Sequence, residues 1–279
     1  MLIVDGQVHI WGADSPERPW PPGARGLAHR EAPLGAEELL GEMDRAGVTR
    51  AVLVPPSWEG DRNDLALQAA AHHPDRFAVM GRLDLREEDP DRVQEWRTQP
   101  GMLGIRLTFH RPPHRGWLTD GTADWFWPAA QAARVPVMVY APGQAEALGE
   151  VATRHPYLPL IIDHVGLGLD VRDQGLGPAI APVLDLADRP NVAVKVSALP
   201  CYVGEAYPFP SLRPHVQRVV ETFGPSRCFW GSDLSRLPCP YGDWVRFVTE
   251  DESLVSEDDR ALLMGRALAQ WLSWPIEPK

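Results

Sequence analysis

Val4-Asp5-Gly6-Gln7-Val8-His9-Ile10-Trp11 opens the chain as a short apolar run with polar residues toward its end. Read as a strand, it alternates faces, so Gln7 and His9, two apart, point the same way. A largely apolar strand that presents polar side chains near its C-terminal end suits a parallel barrel whose site sits on that face. Whether the unit repeats decides the fold.

It repeats eight times. Runs that read as buried strands occupy 2–4 (leading into the opening stretch), 51–54, 77–83, 103–109, 136–140, 158–163, 192–197 and 227–232. They lack the clean alternation of a half-exposed sheet, as strands covered on both faces should. Helical periodicity lies between them at 36–46, 64–73, 123–133, 145–155 and 211–223, and 257–272 reads as a last amphipathic helix. The alternation predicts an α/β fold, a single distorted (β/α)8 TIM barrel spanning 1–279. Helix-to-strand links are short and carry breakers, at 46–48, 73–75, 189–191 and 224–226, whereas strand-to-helix links are long, at 11–35, 111–121, 165–177, 198–210 and 234–242. Long loops over the C-terminal face place the site there.

The polar residues at those strand ends are Gln7 and His9, Arg106, Tyr140, Asp163 and His164, Lys195 and Ser197, and Ser232 and Asp233. Each admits two readings. Asp233 after Gly-Ser suits a helix N-cap as well as a base. Lys195 suits a buried ion pair or a base. Arg106 suits a barrel carboxylate or a substrate carbonyl or carboxylate. His72, His73 and His155 stand at helix C-termini, where they favour the dipole. His110 and His114 lie on a strand-to-helix loop with nothing to fix them at the site.

Composition bounds the partners. With 44% hydrophobic and 23% charged residues the chain can bury a sizeable core. A net charge of −11 argues against nucleic acid or an anionic membrane as the main partner, so a small-molecule substrate is expected. Three cysteines, Cys201, Cys228 and Cys239, without C-x-x-C spacing fit a reducing compartment. No leader-like or membrane-length apolar run is visible, so a cytoplasmic location is expected. Homo-oligomerisation is left open.

These motifs, in order, resemble the amidohydrolase superfamily, in its branch of lactonases and decarboxylases. The matching stretches are Asp5-Gly-Gln-Val-His9-Ile-Trp11, Pro55-Pro-Ser-Trp-Glu-Gly-Asp61-Arg-Asn63, Gly104-Ile-Arg106-Leu, Asp163-His164-Val-Gly, Asn191-Val-Ala-Val-Lys195-Val-Ser and Gly231-Ser-Asp233. The chain is most similar to the dicarboxylate pyrone and sugar-acid lactonases of that branch. In metal-dependent members a His-x-His pair, histidines after strands 5 and 6 and an aspartate after strand 8 surround a divalent ion. Here His9, His164 and Asp233 match those positions, while Gln7 and Tyr140 replace histidines. Met264-Gly-Arg266-Ala also departs from a family Gly-Asn-Ala.

The resemblance and the residues together imply a metal-independent hydrolase of a lactone or similar activated ester. Asp233 is expected to activate water, His164 and His9 to polarise the carbonyl or orient that water, and Arg106, Tyr140, Gln7, Trp11 and Lys195 to contact substrate. Trp20 and Trp58 are further candidates for an apolar wall. The run Gly166-Leu-Gly-Leu-Asp-Val points to a less anionic substrate than a dicarboxylate. No cofactor is expected. The alternatives are one zinc or manganese ion on His9, His164 and Asp233 in a hydrolase or decarboxylase, a cyclase or dehydratase using the same acid–base set, and a silent binding protein.

Overall fold

The structure is a computed structural model that describes residues 1–276, so positions 277–279 of the expected domain lie outside the described residues. Eight parallel strands follow one another in chain order around a sheet, each hydrogen-bonded to the next. They are β1 (Val4–Val8), β2 (Arg50–Leu53), β3 (Phe77–Gly81), β4 (Met102–Thr108), β5 (Val137–Tyr140), β6 (Leu160–Ile162), β7 (Val192–Ser197) and β8 (Cys228–Gly231). Every residue in all eight is buried, which is why none shows an alternating sequence. The TIM barrel expected from the sequence is therefore the fold.

Helices α1 (Ala36–Ala46), α2 (Asp64–His72), α3 (Pro90–Gln94), α4 (Phe126–Ala132), α5 (Ala145–Arg154), α6 (Leu176–Leu184) and α7 (Arg213–Phe223) connect the strands, and α8 (Tyr241–Thr249) follows β8. The amphipathic pattern of α1 is closed by Gly47 at φ 73°, a left-handed cap whose N–H reaches back to Asp44 and Met43. The apolar core separates into two shells. One lies between strands and helices. The other fills the barrel: Val52, Val54, Met80, Met138, Ile161 and Phe229, floored by Leu268, Leu272 and Trp274. That floor is the expected last helix, interrupted: helical turns at Glu257–Ala261 and Ala267–Trp271 flank a wider π-turn at Leu262–Arg266. Gly265 sits in that turn because a Cβ there would lie 2.7–2.9 Å from Val4.

Two irregularities set up the catalytic face. The β1–β2 register shifts between Asp5 and Val8, a bulge that re-aims the end of the strand. Val4 faces the barrel interior while Val8 packs in the outer shell, so Gln7 and His9 turn inward above it. The second is the seam between β8 and β1, outside the ladder of paired strands. Asp5 closes it: Oδ1 accepts the backbone N–H of Ser232 at 2.8 Å and of Gln7 at 2.9 Å, and Asp233 N–H donates to Gln7 O at 2.8 Å. Tyr241 at the start of α8 donates its hydroxyl to Asp5 Oδ2 at 2.5 Å.

Gly104 on β4 tests the packing inside the barrel. A Cβ there would stand 2.3 Å from Pro136 O and 2.7 Å from the Met80 methyl. Because the first contact is backbone, relaxation is expensive. Gly104→Val is expected to cost about 3 kcal/mol or more in urea unfolding, at the upper end for overpacked cores; a midpoint like the wild type's would show that β4 and β5 are not so closely apposed.

Candidate active site

The strand ends deliver one buried cluster around Asp233, which is 1% exposed. His9 Nε2 lies 3.2 Å from Asp233 Oδ1, His164 Nε2 lies 3.8 Å from Oδ2, and Arg236 Nη1 lies 3.2 Å from Oδ2. Local geometry builds this from short tight turns. Asp233 is left-handed (φ 53°), as are His164 (φ 52°) and Val165 (φ 49°), so both polar strand ends are folded over the barrel mouth.

Each imidazole is oriented by its far nitrogen. His9 Nδ1 lies 2.5 Å from Val54 O; a carbonyl only accepts, so Nδ1 carries the hydrogen. His164 Nδ1 is 2.8 Å from Ser197 Oγ. Burial pushes the His164 pKa down to about 3, leaving the ring neutral near pH 7. Burial alone pushes the Asp233 carboxyl up, but the His9 ring at 3.2 Å, with His164 and His29 beyond it, outweighs this and holds the pKa well below the ordinary value. Asp233 is therefore held toward its ionised form, with the Arg236 guanidinium against Oδ2 and the His9 ring beside Oδ1.

A second charged layer lies directly beneath. Lys195 and Asp163 are fully buried, with Nζ and Oδ1 2.7 Å apart, and Arg106 Nε donates to Asp163 Oδ2 at 3.0 Å. Burial favours the neutral Asp163 acid, and the Lys195 and Arg106 charges more than reverse this, so the carboxylate stays ionised. Lys195 also donates to Gln7 Oε1 and to Gly6 O. Gln7 Nε2 in turn sits 3.4 Å from His9 Nε2.

The cluster opens into a narrow chamber of about 60 Å³, lined by His9, His29, Trp58, Arg106, His164 and Asp233 among others. That is room for roughly four to six waters, at 10–15 Å³ each. His110, Arg111, Tyr140 and Leu169 are shared with an adjoining groove of about 530 Å³ that runs past Pro142, Gly168 and Val171 to Arg115 and Asp170. A roomier surface groove between α5 and α6, around Glu146 and Arg189, lies outside the barrel and away from the strand ends.

His9, His164, Asp233, Arg106 and Tyr140 come together as the sequence suggests; three expected substrate contacts do not reach the chamber. Gln7 and Lys195 are 0% exposed beneath it, with Lys195 Nζ bound to Gln7 Oε1. Trp11 is buried behind the wall, its ring edge-on to Trp58 at 5.4 Å, so Trp58 presents the aromatic face instead. Trp20 is anchored by its own Nε1–H to Gly12 O at 3.2 Å. Tyr140 lines the chamber, and its hydroxyl donates to Leu167 O at 3.1 Å. Arg106 combines both of its readings, pairing with Asp163 while lining the chamber. His110 lines it as well, whereas His114 packs against Trp117.

Sequence reading missed His29 and Arg236. Arg236 lies three residues past Asp233, a spacing that places it over the carboxylate in a single turn. His29 sits midway along a long loop and carries no local signal. Distant contacts fix it: Arg18 binds Glu59 at 2.6 Å and Asp64 at 2.7 and 2.9 Å, pinning the loop, and His29 Nδ1 meets Ser235 Oγ at 2.8 Å. Burial lowers the His29 pKa to about 3.

The buried layer makes a quantitative prediction. Lys195→Met strands Asp163 with one partner and is expected to cost roughly 3–5 kcal/mol in denaturant unfolding, with part of it recovered in Lys195→Met/Asp163→Asn. A single-variant loss under about 1 kcal/mol would show that the ion pair does not hold the barrel mouth together.

Comparison with known proteins agrees with this architecture. The family model described as amidohydrolase matches residues 4–268. An L-fucono-1,5-lactonase from Burkholderia ambifaria is 30% identical over 94% of this chain and 92% of its own. Among solved structures, a zinc-bound amidohydrolase from Burkholderia multivorans is similar at TM-score 0.80 and 24% identity, covering 99% of this chain and 100% of that one. A probable 2-pyrone-4,6-dicarboxylic acid hydrolase from Acinetobacter baumannii, with citric acid bound, is similar at TM-score 0.72 and 18% identity, covering 98% and 100%. The barrel, its strand-end motifs and the family match over nearly the whole chain place it in one family: the chain belongs to the amidohydrolases.

Proposed function

We propose that this protein hydrolyses the ring ester of a lactone, most readily a sugar-acid lactone, and that its own side chains suffice to activate the water. The observation that carries this is the Asp233 carboxyl, sealed from solvent and flanked by His9, His164 and Arg236 at the inner end of the chamber. The lactonase relative supports the substrate class.

The steps balance on these groups. A water beside Asp233 gives a proton to the carboxylate as its oxygen adds to the lactone carbonyl carbon. The carbonyl oxygen becomes an oxyanion, met by the Arg236 and Arg106 guanidinium groups and by the His164 ring. His164 serves this role in the tautomer in which Ser197 donates to Nδ1, which puts the ring proton on Nε2 facing the chamber. Collapse breaks the ring C–O bond, and the departing alkoxide takes the proton back from Asp233, leaving a hydroxy acid. A lactone is activated enough for this without further polarisation. The chamber takes the reacting end only, so the remainder of the substrate lies in the groove, whose walls mix Leu169, Val171 and Pro142 with Arg111, Arg115 and Asp170.

Gln7 and Tyr140, which stand at family histidine positions, are engaged by Lys195 and by Leu167 O. His9, His29 and Asp233 remain and fit a divalent ion; bound there, it would supply Lewis acidity and a more acidic water.

A panel of sugar lactones followed by acid release tests the proposal, with chelator-stripped protein. Stripped wild type is expected to open at least one lactone, and Asp233→Asn to lower kcat about 10³-fold. No ring opening, or an Asp233→Asn loss below about tenfold, overturns the hydrolysis reading. Turnover lost on chelation and restored by zinc or manganese overturns metal independence alone.

A further inference from the structure

We propose that His29, on the loop after β1, is the third protein ligand of a divalent-cation site with His9 and Asp233. This set differs from the His9, His164 and Asp233 trio that strand-end positions imply. The ligand atoms of His9, His29 and Asp233 all lie within 4.8 Å of one another. An ion with bonds of about 2.0–2.1 Å spans them after a small side-chain rotation.

Three observations turn this proximity into a site. Asp233 Oδ1 is buried with no aligned hydrogen bond, although His9 Nε2 is 3.2 Å away. The nitrogen and the oxygen are close without being directed at each other, so both aim into a shared space. Oδ2 is taken by Arg236 at 3.2 Å, and His164 approaches on that side at 3.8 Å, which separates it from the free oxygen.

The second observation is the orientation of the rings. His9 Nδ1 donates to Val54 O, which leaves the lone pair on Nε2, and His29 Nδ1 lies 2.8 Å from Ser235 Oγ, whose oxygen can accept that N–H and leave the His29 Nε2 lone pair for a ligand. Backing of this kind fixes tautomer and ring direction in metal sites. Trp58 packs edge-on against both rings, 5.5 Å from His9 and 4.5 Å from His29, and limits their rotation.

The third is what the family positions now do. Gln7 gives its Oε1 to Lys195 and turns only its N–H group, 3.4 Å away, toward His9, and the Tyr140 hydroxyl donates to Leu167 O, so neither offers the site a lone pair. A third imidazole comes instead from a loop that Arg18, through Glu59 and Asp64, ties to the barrel. Imidazole and carboxylate together select zinc, or manganese more weakly, over calcium.

Zinc titration by calorimetry on chelator-stripped wild type, His29→Ala, His164→Ala and Ser235→Ala tests the ligand set without reading turnover, so it stands apart from the lactonase proposal. Wild type is expected to bind one ion per chain, His29→Ala at least about 100-fold more weakly and His164→Ala within about tenfold of wild type. Ser235→Ala, which only loosens the His29 ring, should lose about 10–100-fold. Near-UV circular dichroism like the wild type's shows that a non-binding variant is folded, and Ser235→Ala decides the matter if His29→Ala is not. Absence of wild-type binding below millimolar zinc, or losses in His164→Ala equal to or larger than those in the His29 and Ser235 variants, overturns the proposal.

Discussion

The carboxylate of Asp5 is the contact on which the site's geometry depends. It accepts hydrogen bonds from Ser232, Gln7 and Tyr241, and so joins the last strand to the first where no ladder pairs them. His9 comes from one side of that seam and Asp233 from the other. Their 3.2 Å separation is therefore a property of barrel closure rather than of either strand. Burial raises the Asp5 pKa to about 6, the cost of placing an anion where it can bind two backbone N–H groups and a phenol at once.

Below the cluster the protein keeps its own cations. Lys195 and Arg106 share Asp163, and Lys195 polarises the Gln7 amide that lies against His9. A buried triad of this kind is weak evidence of stability, since desolvation offsets most of the attraction. Its visible consequence is positional. Gln7 is turned down toward Lys195 and cannot serve as a ligand above, and the Arg106 guanidinium is aimed so that it still lines the chamber.

The loops then divide the labour on the upper face. The narrow chamber excludes bulk water around Asp233, while the wider groove beyond Tyr140 and Leu169 offers apolar and charged walls for the rest of a ligand. Low dielectric in the chamber strengthens interactions between its charges, which gives weight to small displacements of His29, His164 and Arg236.

The barrel was legible in the sequence because eight fully buried strands need continuous apolar runs, and helices covering them need a 3.6-residue stripe. Strand 7, at Val192–Ser197, and helix α1, at Ala36–Ala46, fall where periodicity puts them. Boundaries were less legible where the chain leaves the sheet early: β6 ends at Ile162, and Asp163 already belongs to the tight turn that reverses His164. The polar strand ends were legible too, because a barrel places such residues on one face whatever their sequence separation. Which of them face the chamber was not. A bulge in β1 and one lysine from β7 draw Gln7 beneath it, and Trp58 screens Trp11 from it. His29 was invisible because its position comes from Arg18, Glu59, Asp64 and Ser235, contacts up to 206 residues apart in the chain. Local pattern determines which residues can form a strand and where it ends; only tertiary closure, by bringing distant donors and acceptors to one buried point, decides which side chains share a site.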